Sequence, residues 1–248
     1  MTFSYMPDIF PPTRGPKDGS VLERSIVFFD DFIVGGTMDV SDATVASSQN
    51  PKFSVLADHS EWFCSVTDSD TDAAHVVGIN DVAGGELVCT TNPDILDNNN
   101  CQLNGAGFKW SQGKEGLFEI RMKVTDVSTA KWFVGLAVPD VDILGGVTDR
   151  IGFECPDNTG DIDAVSEKNS TQTSTDTTSD LADGTYVTLR VEWTGNKSRF
   201  SVDGVLKATH TTNNPDDVAM SPVFQVFNSA EGANTMTIDY ILTACDRP

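Results

Sequence analysis

The chain has 248 residues, with 37 acidic and 16 basic side chains and a formal net charge of −21. This excess of acids disfavours binding to nucleic acid or to an anionic membrane surface, because both depend on Lys and Arg contacts to phosphate. The length suits a single β-sandwich domain that can bury its core without a metal or a disulfide.

Residues 1–24 are predicted to form an extended arm. Four prolines between positions 7 and 16 preclude a helix or a strand ladder here. The segment nevertheless carries several apolar side chains, which a fully solvated tail would lack. We therefore expect the arm to dock, either on its own domain or on a neighbouring subunit. The expected docking residues are Phe3, Tyr5, Ile9 and Phe10.

Residues 25–248 are predicted to form successive antiparallel strands of one domain. In residues 117–124, apolar and charged side chains alternate with a period of two, which predicts a half-buried strand at the centre of a sheet. Residues 131–138 (KWFVGLAV) are almost wholly apolar, which predicts a strand buried on both faces. Asp203-Gly204 predicts a two-residue hairpin turn. The Thr-rich residues 166–180 could be a loop or an edge strand, and β-branched threonine favours the strand.

The five cysteines predict reduced thiols. Their number is odd, the sequence has no CxxC pair, and no signal peptide is recognisable at the N-terminus. These features favour synthesis in a cytoplasm, with buried thiols such as Cys89 acting as small apolar side chains. The sequence also has no apolar run of transmembrane length.

Glycoside hydrolysis requires two carboxyl groups on one face of a strand. The segment closest to the E-x-D-x-x-E pattern of laminarinase-like enzymes is DIDAVSE, residues 161–167. Its last acid is displaced by one residue, so we expect Glu167 on the face opposite to the one the pattern requires. This argues against a retaining glycosidase, and we predict no catalytic residue.

Metal and cofactor motifs are also weak. The acidic residues 68–72 lack the glycine and the final acid of an EF-hand loop. Loops at residues 94–100 and 140–149 could supply oxygen ligands for calcium, although loop acids in so acidic a chain are usually solvated. The three histidines have no zinc-like spacing, and no G-x-S-x-G elbow is present, although a Ser/His/Asp triad could still converge in space. We predict neither a metal nor a cofactor.

The four tryptophans have two alternative roles. Trp132 and Trp193 lie within apolar runs and are predicted to be core residues. Trp62 and Trp110 could stack on a glycan or mark a subunit interface.

The run LRVEWTGNKSRFSVDGVLKATHTT, residues 189–212, resembles the hairpin core of the concanavalin A-like lectin/glucanase jelly rolls. The resemblance rests on the spacing of Trp193, Phe200, Asp203 and Gly204. From about Phe28 onwards the order of segments is similar to that of capsid decoration (cement) proteins of tailed bacteriophages. The segments are GGELVCTTN (84–92), DNNNCQLN (97–104), EGLFEIRMKVTD (115–126), DRIGFE (149–154) and MTIDYILTACDRP (236–248).

The resemblance implies an all-β, antiparallel jelly-roll sandwich preceded by the arm. It also implies a non-enzymatic virion protein that binds the outer capsid surface and bridges neighbouring capsid subunits. Its expected partners are the major capsid protein and further copies of itself, which would form a trimer. It is expected to be made in the host cytoplasm and to lie on the capsid surface of the virion. The main alternative is a carbohydrate-binding module that adheres to host glycans. A glycoside hydrolase acting through Asp163 and Glu167 is the third hypothesis.

Overall fold

The computed structural model describes residues 25–31, 37–39, 52–56, 60–67, 76–80, 85–91, 98–104, 107–140 and 142–246. These residues form strands and turns without a helix, and therefore without a helix able to cross a membrane. The predicted arm, residues 1–24, lies outside them and stays a prediction. The strands are β1 (Ser25–Asp30), β2 (Thr37–Asp39), β3 (Lys52–Leu56), β4 (Ser60–Thr67), β5 (Val76–Asn80), β6 (Glu86–Thr90), β7 (Asn98–Asn104), β8 (Glu115–Val124), β9 (Ala130–Ala137), β10 (Arg150–Cys155), β11 (Asp161–Lys168), β12 (Thr171–Asp180), β13 (Val187–Thr194), β14 (Lys197–Val202), β15 (Val205–His210), β16 (Ser221–Asn228) and β17 (Thr235–Asp246).

The strands form two antiparallel sheets that pack as a sandwich. The first sheet has nine strands in the order β15-β14-β13-β8-β17-β6-β5-β2, with β1 also paired to β17. The second has eight strands in the order β12-β11-β10-β9-β16-β7-β4-β3. The all-β sandwich predicted from the sequence is confirmed, and β8 lies inside the nine-stranded sheet, between β13 and β17, as its alternation predicted.

The core between the sheets is aromatic and aliphatic. Strand β8 turns Phe118, Ile120, Met122 and Val124 into it, each without exposed surface. The intervening charged residues of β8 point outwards, because successive side chains of a strand alternate between its faces. All four tryptophans of the chain also lie in this core.

Strand β9 is buried on both faces, as predicted. Its even-numbered residues enter the core between the sheets, while Phe133 and Ala137 lie on the outer face of the eight-stranded sheet. There they pack against Ile143 and Val147 of the loop that joins β9 to β10, residues 138–149, in which residue 141 is not described. This β9–β10 loop therefore covers part of the outer face.

The Thr-rich segment forms the edge strand β12, which confirms the strand interpretation. It follows a tight turn in which Asn169 and Ser170 both have positive φ, at 49° and 60°. Near this edge His210 of β15 connects the two sheets: its Nδ1 lies 2.8 Å from Ser166 Oγ and its Nε2 lies 3.0 Å from Thr175 Oγ1. These bonds fix the imidazole between two hydroxyl groups in the interior.

The prediction of reduced thiols is wrong for one cysteine. Cys101 of β7 is disulfide-bonded, whereas Cys89, Cys155 and Cys245 are free and buried. The backbone of Cys101 is directly opposite that of Cys64 on β4. Counting the cysteines of the chain gave no sign of the disulfide at Cys101.

Candidate functional site

A row of polar residues crosses the outer face of the eight-stranded sheet. Strand register places Glu154 of β10 directly opposite Asp163 of β11, and Asp163 directly opposite Asp176 of β12. On its other side Glu154 is opposite Phe133 of β9, which is itself opposite Gln225 of β16. The row therefore runs from an exposed acid at the sheet edge to buried side chains at the centre.

Arg150 joins the acids of this face. Its Nη1 lies 2.9 Å from Glu154 Oε2, and its Nε donates to Glu167 Oε2 at 2.8 Å. Arg150 and Glu154 are four residues apart on one strand, which would normally separate side chains on the same face by two rows. Gly152 lies between them and has no side chain, so the two long side chains can meet above it. The guanidinium also stacks on Phe133, 5.3 Å from the ring centre.

Burial controls the charge of the acids. Glu154 has only 3% of its side chain exposed, and this desolvation raises its pKa even though the Arg150 charge opposes the shift. The pKa of Asp163 is also raised, first by burial and then by the charge of neighbouring Asp176. The charge of Asp163 also contributes to the raised pKa of Glu154, because a neighbouring negative charge disfavours the ionised form.

One exposed amide covers the Glu154 carboxylate. Nε2 of Gln172 on the edge strand β12 donates to Glu154 Oε1 at 2.7 Å. Gln172 is itself exposed.

The β9–β10 loop closes the other side of the row. Gln225 accepts the backbone N–H of Leu144 at 3.0 Å and donates to Asp142 Oδ1 at 3.1 Å. Asn100 and Gln102 of β7 donate to the backbone carbonyl of Asp140. These amide contacts hold the described part of the loop against the sheet beside the acidic row.

The structure corrects the sequence interpretation of residues 161–167. Asp163 and Glu167 are four residues apart along β11, and both lie on the outer face, where they oppose Glu154 and Arg150. The expected placement of Glu167 away from Asp163 is therefore wrong, because the strand is continuous between them. Glu154 and Arg150 were missed altogether. The sequence feature that could have revealed them is the R-x-G-x-E alternation of β10, which places a basic side chain, a glycine and an acidic side chain on the same face of the strand.

The other candidate residues do not converge on this site. Trp62 and Trp110 have no exposed surface, so neither ring is available in this structure to stack on a glycan. The proposed docking residues of the arm lie outside the described residues, as do His59, His75 and the acidic segment 68–72. In the described part of the chain no group of three or more His, Cys, Asp or Glu side chains could hold a metal ion. His210 bonds two hydroxyls, as described above, and has no carboxylate partner there for a catalytic triad.

No protein-family model matches the sequence, and no curated protein matches it either. Solved structures do share its fold. An endo-1,3-β-glucanase from Streptomyces sioyaensis is 16% identical over 95% of this chain and 100% of its own, with a TM-score of 0.58. SCLam, a non-specific endo-β-1,3(4)-glucanase from family GH16, is 15% identical over 90% and 92%, with a TM-score of 0.56. A GH16 protein of the Bacteroides ovatus mixed-linkage glucan locus is 13% identical over 86% and 98%, with a TM-score of 0.55.

The chain therefore has the jelly-roll fold of these glucanases. This confirms the concanavalin A-like sandwich, and at such identities it shows the fold alone. The comparison overturns the prediction that the chain is not an enzyme, because structures that match it along most of its length are named as enzymes. None of these three names refers to a virion, so the capsid role stays a prediction from the sequence resemblance.

Proposed function

We propose that this chain is a carbohydrate-active protein that hydrolyses glycosidic bonds with the opposed carboxyl groups of Glu154 and Asp163. The observation that carries the proposal is their direct cross-strand pairing on the outer face. Side chains opposed in this way have Cβ atoms about 4.5–5.5 Å apart, so both acids lie close together on one face, as glycoside hydrolysis requires.

The two acids differ in the way this chemistry requires. Glu154 is the more deeply buried and its pKa is raised, which suits it to the general-acid role, in which a proton passes to the leaving oxygen. Asp163 is half-buried and faces the open side of the row, where its ionised form can attack or stabilise the sugar. Arg150 positions Glu154 and limits the negative charge of the face. A glycan would enter from β11 and β12 after the Gln172 side chain moves aside.

Release of reducing ends from β-1,3-linked and mixed-linkage glucans tests this function. Glu154→Gln and Asp163→Asn should each lower turnover by roughly 10²-fold or more, the usual contribution of a general acid or base. Glu231→Gln, at an exposed acid remote from the row in sequence, serves as the control. Absence of turnover by the wild-type chain, or full activity of both variants, would refute hydrolysis.

Glycan binding without cleavage is the second candidate. It is favoured by the 3% exposure of the Glu154 side chain and by the β9–β10 loop that occupies the adjoining face. In that case glycan affinity would be measurable for the wild-type chain while no reducing ends are released.

Attachment to a capsid through the major capsid protein, self-association as a trimer and location on the virion surface remain compatible proposals. They derive support from the order of sequence segments described above, not from the acidic row. Co-sedimentation of the full chain with capsids, compared with a chain lacking residues 1–24, tests the attachment. Light scattering of the purified chain tests the trimer.

A further inference from the structure

A second concave site lies at the end of β12. It is a cavity of about 320 Å³ between the end of β12, the following loop and the β14–β15 hairpin. This volume is at the lower end of the range of small-ligand sites. Its apolar wall consists of Val187, Val202 and Val205, and Val205 keeps 57% of its surface exposed.

A strained β-bulge shapes the polar side of this cavity. The register between β11 and β12 shifts between Asp161 and Asp163, and Thr178 within the bulge has φ of 56°. A β-branched residue in the left-handed region is a genuine outlier, and such strain persists only where surrounding bonds enforce it. Here Thr177 Oγ1 donates to the Ile162 carbonyl, and Asp176 Oδ1 accepts the Thr178 N–H at 2.6 Å. The bulge determines the direction of the backbone that leads to Asp180, and Asp180 lines the cavity.

The cavity presents one acid and one base that are free to bind a ligand. In the described structure neither the Asp180 carboxylate nor the Lys207 ammonium group makes an ion pair or a side-chain hydrogen bond. Thr185 adds a hydroxyl to the lining. Asp203 is already committed, because its Oδ1 accepts the Thr188 N–H at 2.9 Å and fixes the hairpin. Both residues line the same cavity, where Lys207 offers a hydrogen-bond donor and Asp180 an acceptor.

We infer that this cavity is a saccharide subsite that holds one sugar unit of an uncharged glycan. The inference rests on the proposed function in taking a glycan as the ligand, but it does not require cleavage. A sugar ring offers C–H groups to the valine wall and hydroxyls that can both accept from Lys207 and donate to Asp180. An anionic sugar would be repelled by the free carboxylate and by a chain of net charge −21.

The test is a ¹⁵N–¹H NMR titration of the full chain with a β-1,3-linked glucose tetramer. We expect saturable shifts of the amides of Asp203, Gly204 and Val205. Ala182→Trp, which fills the cavity from an exposed lining position, and Lys207→Ala should each weaken binding roughly tenfold or more. Lys197→Ala removes an exposed lysine outside the cavity and should leave the affinity unchanged.

Variants of the two opposed acids separate glycan binding at the cavity from hydrolysis. Glu154→Gln and Asp163→Asn should still bind the tetramer at the cavity even when turnover is lost. If the wild-type chain binds the tetramer there but shows no turnover, hydrolysis is refuted and the subsite is not. The subsite is refuted if the cavity amides do not shift at millimolar tetramer, if Ala182→Trp binds like the wild-type chain, or if an oligomer of uronic acids binds as tightly as the neutral tetramer.

Discussion

Replacing Arg150 with methionine tests the physical account of the acidic face. The side chain of Arg150 is 7% exposed and lies between two acids, Glu154 and Glu167, whose side chains are 3% and 12% exposed. Methionine keeps much of the volume but leaves both carboxyl groups buried without their counter-charge, and the carbonyl of Ile143 without its donor at 3.1 Å. Loss of one partner of a buried ion pair costs about 3–5 kcal/mol. For a domain of this size that corresponds to a fall in Tm of roughly 6–20 °C.

The loss should depend on pH. In the wild-type chain burial raises the pKa of Glu154, so the folded state holds this proton more tightly than the unfolded state, and this group contributes less stability as pH rises above its usual value of 4.5. The Arg150 charge opposes that shift, so its removal raises the folded pKa further and extends the penalty towards neutral pH. The deficit of Arg150→Met should therefore be larger at pH 7 than at pH 4.5.

Urea unfolding at the two pH values measures this difference. Arg199→Met, at an exposed position of β14, is the matched control and should change the free energy of unfolding by less than about 0.5 kcal/mol. A loss below about 1 kcal/mol at pH 7, or an equal loss at both pH values, would show that Arg150 does not hold the buried acids as the geometry indicates.

Three further predictions concern the framework of the sandwich. Gly152→Ala should cost about 3 kcal/mol or more in urea unfolding, because its Cβ would lie 2.1 Å from the Val134 carbonyl oxygen, whereas Gly146→Ala, with open space around it, should be tolerated. Burial lowers the pKa of His210 below 6.5, so the unfolded state binds this proton more tightly and the free energy of unfolding should fall as pH drops below about 6.5. His210→Gln should flatten that part of the curve of stability against pH. An unchanged slope in this variant would contradict the assignment. A thiol reductant should lower the free energy of unfolding by about 2–5 kcal/mol in the wild-type chain and not in Cys101→Ser, and non-reducing peptide mapping should find a cross-linked peptide that contains Cys101.

Local patterns were sufficient for most individual strands. The alternation in β8 and the apolar run in β9 predicted burial correctly, because side-chain direction in a strand is set by the backbone with a period of two. The Asp203-Gly204 turn was predicted for the same local reason, and both residues have positive φ, at 48° and 77°. Tryptophan exposure was harder to predict, because Trp110 lies in a short irregular segment and its burial depends on packing against Trp193 at 6.1 Å.

The sequence by itself therefore determined an acidic, all-β antiparallel sandwich, since strand periodicity and turn chemistry act between near neighbours in the chain. Only the tertiary structure decided which acids meet. Glu154 and Asp163 belong to separate strands and become partners through the register of β10 on β11, and Arg150 reaches Glu154 because a glycine separates them on the same face. The cavity beside β12 likewise depends on a bulge and a hairpin from different sheets. Long-range strand pairing decides which of these residues become neighbours, and that pairing cannot be read from any short stretch of the sequence.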